Sequence, residues 1–226
     1  KKRDKETLNF KQKIFHLSQR SLASKGYIEA VTWSFTDSKI DKQFSKGEKE
    51  IPIYNPISND LNVLRRSIFS NLAIHLKKNQ DKGYEELSLF EIGPTFFGKN
   101  PGEQQVIIGG LRSGKVNKKS WLEKERNIDV FDVKSDVIKT LLELGIEQKD
   151  IFVSDNTKHS YHPGRSGSIN LKSEKGPYLA YFGEIHPAII KNLDFKDKNI
   201  FGFEIFLKNI PEPHKKLRQS KKSFQA

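Results

Sequence analysis

A stretch of turn residues, followed by an apolar helix pattern and then an apolar strand pattern, constrains the fold more than any other part of the sequence. It lies between positions 53 and 97 and opens with the turn sequence NPISND at 55–60. The residue before a proline leaves the helical region, and short polar side chains accept hydrogen bonds from the free amides at a helix start. We therefore expect a helix over residues 59–79. Its predicted buried stripe, at spacings of three and four, comprises Leu61, Leu64, Ile68, Leu72 and Leu76.

Two apolar runs follow this helix and predict an antiparallel hairpin at the centre of a sheet. They cover residues 87–97 and 104–112, and the loop GKNPG between them has the composition of a hairpin turn. Upstream, residues 10–25 have a helical apolar stripe before Gly26, and residues 27–35 alternate like a strand. The other predicted elements are short helices near residues 40–44 and 187–193, a helix over 132–144, and strands over 51–54, 151–153, 166–171, 178–185 and 200–207. The fold class is therefore α+β, with an antiparallel sheet of six or more strands flanked by helices.

The composition is that of a folded protein without cysteine chemistry. The 226 residues, of which 35% are hydrophobic and 11% aromatic, are enough for a sizeable core. No apolar run approaches the roughly 18 residues of a membrane span, so we expect a soluble, cytoplasmic protein. The lack of cysteine excludes a disulfide framework, a thiolate zinc site and a cysteine nucleophile. Since methionine is also absent, we expect an internal piece of a longer protein, with linkers over residues 1–9 and 211–226 around a core domain at 10–210.

The net charge of +12 leaves two interpretations of the surface open. Lysines are concentrated at residues 1–13 and 215–222 and are otherwise scattered through predicted helix faces and loops, which favours a generally basic surface. A clustered patch would instead contact RNA, because lysine and arginine release counterions from the phosphates. A free-standing basic RNA-binding module is therefore an alternative function.

Carboxylates inside apolar strands are the next candidates for chemistry. A buried carboxylate is costly unless it is paired, so each of them needs a cation nearby. The strand carboxylates are Glu91, Glu184 and Glu204, and the candidate partners are Arg65, Arg112 and Arg165. We interpret such pairs as structural, because they would fix the register of the sheet.

Three histidines, His159, His162 and His186, form the one plausible metal or acid–base cluster of the sequence. Two of them precede a proline, which favours rigid turns, and no carboxylate lies at a known ligand spacing. We therefore expect structural histidines and no metal site. The alternative is a hydrolase that uses His162 or His186 together with Glu184.

Six short motifs occur in a fixed order from about residue 10 to residue 207. They are GYIEAVTWSF, NPISNDLNVLRRS, LSLFEIGPTF, VFDVKSDV, HPGRSGSI and GEIHP. In this order they resemble the β subunit of bacterial phenylalanyl-tRNA synthetase. The resemblance implies a class II synthetase-like domain that has lost its active site, followed by an anticodon-binding domain beyond this segment. It also implies the partners of the whole enzyme: a catalytic α subunit in an (αβ)2 assembly, which holds phenylalanine, ATP and magnesium, and tRNA(Phe).

The resemblance also assigns roles to two parts of this sequence. A class II synthetase holds ATP with an arginine in its second strand motif and another after a glycine-rich strand. The corresponding segments here, residues 87–97 and 200–211, contain no arginine, so we expect no catalytic residue and no cofactor in this segment. The helix over residues 10–25 and the strand after it have the layout of motif 1, the dimerisation element of that fold. The implied interface candidates are Phe10, Ile14, Leu17 and Leu22, together with neighbours on the following strand.

Overall fold

A computed structural model describes residues 7–116, 124–196 and 199–212, so most of both predicted linkers lies outside the described residues. The helices are α1 (Phe10–Ser24), α2 (Ser38–Phe44), α3 (Phe69–Asp81), α4 (Val130–Glu143) and α5 (Pro187–Asn192). The strands are β1 (Ile28–Glu29), β2 (Phe35–Thr36), β3 (Val63–Leu64), β4 (Leu87–Phe96), β5 (Gln104–Ser113), β6 (Ile151–Ser154), β7 (Tyr161–Leu171), β8 (Tyr178–Ile185) and β9 (Ile200–Phe206). None of the described helices is long and apolar enough to cross a membrane.

Seven strands form one sheet in the order β1-β4-β5-β9-β8-β7-β6. Every neighbouring pair is antiparallel except β1 and β4, which run parallel at one edge. The predicted hairpin is present, with Leu87 opposite Ser113 and Phe96 opposite Gln104. β2 and β3 form a separate two-stranded ladder. The predicted α+β class with a mainly antiparallel sheet is confirmed.

The sheet has a hydrophobic core on each of its two faces. α1 and α4 cover the first face, where Phe90 and Phe203 are buried. α3 covers the second face, where Leu72 shares a core with Leu89. Adjacent residues of β4 thus belong to opposite cores, as the alternation of a strand requires.

Both helices on the first face begin with a capping box. In α1, the Asn9 side chain accepts from the amide of Gln12, and the Gln12 side chain accepts from the amide of Asn9. Asp129 and Asp132 make the same reciprocal pair at the start of α4. Gly26 follows α1 with φ of +85°, in the left-handed region that favours glycine. These local signals explain why the predicted bounds of α1 and α4 agree with the structure to within two residues.

The predicted start of the third helix is wrong by ten residues. α3 begins at Phe69, and residues 58–64 form a turn and the strand β3. The side chain of Asn62 accepts from the amide of Ser38, the first residue of α2, and so supports the start of a different helix. The amide of Arg65 is likewise taken by the carbonyl of Ser34. Leu61 and Leu64 therefore lie outside α3, whereas Ile68, Leu72 and Leu76 are fully buried as predicted.

The predicted strand over residues 27–35 is interrupted. Only Ile28–Glu29 pairs with β4, and one further backbone bond joins the amide of Ala30 to the carbonyl of Phe90. The chain then leaves the sheet edge, and the side chain of Asn71 donates to the carbonyls of Trp33 and Phe35. Side chains from a distant helix thus replace the ladder that the alternating pattern predicted. The strand expected over residues 51–54 is reduced to one bridge, between residues 52 and 63.

Candidate functional site

The centre of the second sheet face is filled by two side chains that precede α3. A Cβ atom added to Gly109 would lie 2.1 Å from Cγ2 of Ile68, and one added to Gly93 would lie 2.2 Å from Nη2 of Arg65. The two glycines therefore let Ile68 and Arg65 lie directly on the strands. This part of the sheet face has no room for a bound substrate.

Arg65 contacts Glu91 of β4 and is used for a structural pair. Its Nη1 lies 2.8 Å from Oε1 of Glu91, and the side chains of the two residues are 1% and 5% exposed. Arg65 also donates through Nε to the carbonyl of Pro94 and through Nη1 to Oγ1 of Thr32. The Thr32 hydroxyl donates in turn to Glu91 at 2.7 Å. Nε and Nη1 are therefore both committed, and the pair fixes residues 32, 65 and 91 relative to one another.

Arg66, the next residue, makes a second buried pair. Its Nε lies 2.6 Å from Oδ2 of Asp41, and both side chains are buried. The other oxygen of Asp41 accepts from the backbone amide of Arg66 and from the hydroxyl of Ser70. Arg66 also donates through Nη1 to the carbonyl of Glu48. These contacts tie α2 to the start of α3. Asp41 was not predicted, because it looks like an ordinary polar residue of a short surface helix.

The remaining strand carboxylates have different kinds of partner. Glu184 pairs with Arg165, whose side chain is 55% exposed. Glu204 pairs with Lys158, 2.9 Å away, and not with an arginine. The lysine ammonium also lies 4.9 Å and 5.0 Å from the ring centres of Tyr181 and Phe206. No sequence signal pointed to Lys158, because it lies in a polar loop far from Glu204 along the chain.

Arg112, the third predicted partner, pairs with a helix residue instead of a strand carboxylate. Its Nη1 lies 2.9 Å from Oδ2 of Asp136 on α4. The hydroxyl of Tyr27 donates to the same oxygen at 2.9 Å. Burial raises the pKa of Asp136, and the guanidinium of Arg112 opposes this shift. Burial and the nearby carboxylate raise the pKa of Tyr27 well above its usual value. This trio joins the segment between α1 and β1 to β5 and α4 on the first sheet face.

The three histidines all accept hydrogen bonds from backbone amides. The acceptor atoms are Nε2 of His159, Nδ1 of His162 and Nδ1 of His186, and the donors are the amides of Lys46, Gly164 and Ala188. Burial lowers the pKa of His159, which favours the neutral ring that can accept. Glu184 bonds to Arg165 and to neither of the two histidines that the hydrolase alternative requires. Among the described residues, no group of three or more His, Asp or Glu side chains is arranged to hold a metal.

The interface candidates on α1 face the interior of the chain. Ile14 and Leu22 are buried in the core of the first sheet face, and Phe10 and Leu17 are partly buried against it. Ile14 and Leu22 are therefore inaccessible to another protein in this structure. The amphipathic pattern identified the apolar face of the helix correctly, but the chain's own sheet and α4 cover that face.

Exposed apolar side chains lie instead after α1, on β1 and in the segment that leaves the sheet edge behind it. Val31 is 90% exposed and Trp33 is 64% exposed, and Ile28 is also mostly exposed. Trp33 is held in place by stacking on Phe35, with ring centres 6.4 Å apart. Large contiguous patches of exposed apolar side chains are rare on soluble proteins and often mark interaction sites. We call Ile28, Val31 and Trp33 the β1-edge patch.

Comparison with protein families shows which family the chain belongs to. Residues 2–207 match the model of the phenylalanyl tRNA synthetase beta chain CLM domain. The chain belongs to this family. It is 36% identical over 208 residues to the phenylalanine–tRNA ligase beta subunit of Paramagnetospirillum magneticum, covering 92% of this chain and 26% of that protein. It is 41% identical over 195 residues to the same subunit of Rhodospirillum rubrum, covering 86% of this chain and 24% of that protein.

The resemblance seen in the six motifs is thus confirmed for nearly the whole chain. The chain spans about a quarter of the length of the curated relatives that it matches. Among solved structures, it is similar to PylSc, a pyrrolysyl tRNA synthetase of Desulfitobacterium hafniense, with a TM-score of 0.62 and 12% identity over 88% of this chain and 66% of that one. The fold of this CLM domain is therefore that of a class II synthetase.

Proposed function

We propose that this CLM domain is the non-catalytic core of a phenylalanyl-tRNA synthetase β subunit and that it holds the catalytic α subunit in an (αβ)2 enzyme. That enzyme attaches phenylalanine to tRNA(Phe) with ATP, and the α subunit holds the ATP and magnesium. The exposed β1-edge patch is the observation that carries the proposal. An apolar edge next to a two-residue strand is a surface that a second protein can cover.

The filled sheet face supports a non-catalytic role. β4, the counterpart of the ATP-binding strand motif, has no arginine of its own. The arginine that reaches it, Arg65, is committed to Glu91, and Ile68 lies against Gly109. Adenylate formation needs a fixed cation for the phosphate and a volume for the nucleotide, and the centre of the sheet face around Gly93 and Gly109 supplies neither.

This chain on its own should therefore form no phenylalanyl adenylate. The measurement is ATP–pyrophosphate exchange with phenylalanine, ATP and magnesium, with the α and β subunits together as the positive control. We expect no exchange above a protein-free blank. Exchange that co-purifies with the chain and is lost in an Arg65→Met variant would contradict a non-catalytic role.

The patch itself is tested by assembly with the cognate α subunit. We expect the chain and α to co-migrate in size-exclusion chromatography with light scattering, and Trp33→Glu to weaken the complex at least about tenfold, because a charge would be desolvated in an apolar contact. Phe131→Glu is the matched control, since it changes an exposed aromatic residue on α4 in the same way.

Two outcomes would count against this interface. Equal loss of assembly in both variants would indicate a general effect on folding, which circular dichroism of each variant would reveal. Full assembly in Trp33→Glu would show that α binds elsewhere. If the chain bound tRNA tightly but did not bind α at all, the basic RNA-binding module would become the better interpretation.

A further inference from the structure

A small cleft on the second sheet face has features of an anion site. It has a volume of about 280 Å³ and lies where the ends of β4, β5 and β9 meet the loop after α2. Five charged residues line it: Glu48, Lys49, Arg66, Lys158 and Glu204. The cleft is separate from the filled centre of the face, where Arg65 and Ile68 lie.

Arg66 contributes a buried donor that has no acceptor. Its Nε donates to Asp41 and its Nη1 to the carbonyl of Glu48. Its Nη2 is buried and has no hydrogen-bond partner among the residues that the structure describes. A buried guanidinium N–H without an acceptor is unfavourable, and nearly all such groups in folded proteins are paired. Nη2 of this cleft-lining residue can therefore donate to a bound acceptor.

Lys158 contributes a second donor. Its ammonium carries three N–H groups, and Glu204 accepts at 2.9 Å, while the rings of Tyr181 and Phe206 hold the amine from the side. The side chain is 37% exposed, so it can move more freely than Arg66. Nη2 of Arg66 is not reached by solvent in the present arrangement, so anion binding requires a side chain of the cleft to move.

The balance of charges around the cleft favours a small anion over a polyanion. Three cations and two carboxylates line it, and Asp41 lies directly behind Arg66, so the positive and negative charges are equal in number. Binding must then depend on a few directed hydrogen bonds and not on a strong positive field. A small oxyanion satisfies this condition, whereas the polyanionic backbone of RNA does not.

We propose that this cleft binds the oxyanion group of a small phosphorylated or carboxylated molecule, with Arg66 Nη2 and Lys158 Nζ as its hydrogen-bond donors. Lys49, which is exposed at the rim, adds a third cation. The apolar floor near Phe206 and Ile107 would contact the rest of such a molecule. The site needs no adenylate chemistry and is independent of the α subunit.

The test is an NMR titration of the 226-residue chain with inorganic phosphate at constant ionic strength. We expect saturable shifts of residues around the cleft, with a dissociation constant on the order of 1 mM for so small a ligand. Arg66→Lys keeps a cation for Asp41 but removes Nη2, and should weaken binding about tenfold. Lys49→Gln should weaken it about threefold. Lys39→Gln is the matched control on the exposed face of α2 and should change nothing.

Three results would overturn the proposal. The first is the absence of saturation, and the second is equal binding by the Arg66→Lys and Lys49→Gln variants and the unmodified chain. The third is a preference for RNA, which is tested with a short oligouridylate without terminal phosphates. If the oligouridylate binds more tightly than phosphate and loses this binding in Arg66→Lys, the cleft is an RNA site and the small-anion assignment is wrong. If Arg66→Lys does not fold, the comparison of Lys49→Gln with Lys39→Gln decides the outcome.

Discussion

Replacing Arg65 with methionine is expected to lower the free energy of unfolding by about 3–5 kcal/mol. The substitution keeps most of the apolar stem but leaves the Glu91 carboxylate 5% exposed and without its cation. It also removes donors from Thr32 and from the carbonyl of Pro94. Urea unfolding, followed by circular dichroism, measures the change through the midpoint at constant slope.

Two further variants separate this effect from a general loss of charge. Lys42→Met removes a cation from an exposed pair, in which the side chains of Lys42 and Glu50 are 60% and 30% exposed, and should cost about 1 kcal/mol or less. The double variant Arg65→Met with Glu91→Leu should be more stable than Arg65→Met alone, because no unpaired charge remains buried. If Arg65→Met and Lys42→Met have equal costs, the Arg65–Glu91 pair does not hold the loop before α3 in place.

The same pair shows where prediction from the sequence succeeds. Glu91 lies inside an apolar strand, and this pattern alone indicated a buried carboxylate that needs a cation. The hairpin of β4 and β5 and the bounds of α1 and α4 were also predictable, because turns, caps and hydrophobic periodicity are local. The residues that signal each of these features lie in or next to the element that they specify.

Features that depend on distant residues were not predictable in the same way. α3 begins at Phe69 and not at residue 59, because residues 62–65 bond to another segment. The amide of Arg65 donates to the carbonyl of Ser34, and the side chain of Asn62 accepts from the amide of Ser38. Lys158 reaches Glu204 from a position 46 residues away along the chain. Nothing in the local pattern distinguishes this lysine from other surface lysines. The same limit applies to α1. Its apolar stripe could be identified from the sequence, but the packing of that stripe against the sheet and α4 could not.

The second large effect is the loss of stability on substituting Ile68 or Gly109, which pack against each other on the sheet face. We expect the losses of the two single variants not to add in the double variant. Ile68→Ala should cost about 2–4 kcal/mol, because the residue is fully buried and a cavity would remain. Gly109→Ala should cost about 1–3 kcal/mol, because its Cβ would lie 2.1 Å from Cγ2 of Ile68. Gly164→Ala is the control, since its Cβ would meet only the His162 ring, at 3.7 Å or more.

The double variant Ile68→Ala with Gly109→Ala tests whether the two residues compete for the same space on this sheet face. Ile68→Ala removes Cγ2, and the Cβ of residue 68, 3.3 Å from the new methyl group, is then the nearest remaining atom of that side chain. The methyl group of Gly109→Ala would occupy part of the cavity, so the double variant should lose at least about 1 kcal/mol less than the sum of the single variants. Additive losses would mean that α3 does not press on the strand at Gly109, and the face would then have room for a ligand. A favourable coupling would mean that the two residues share one volume, and the non-catalytic role would then have a steric cause in addition to the missing arginine.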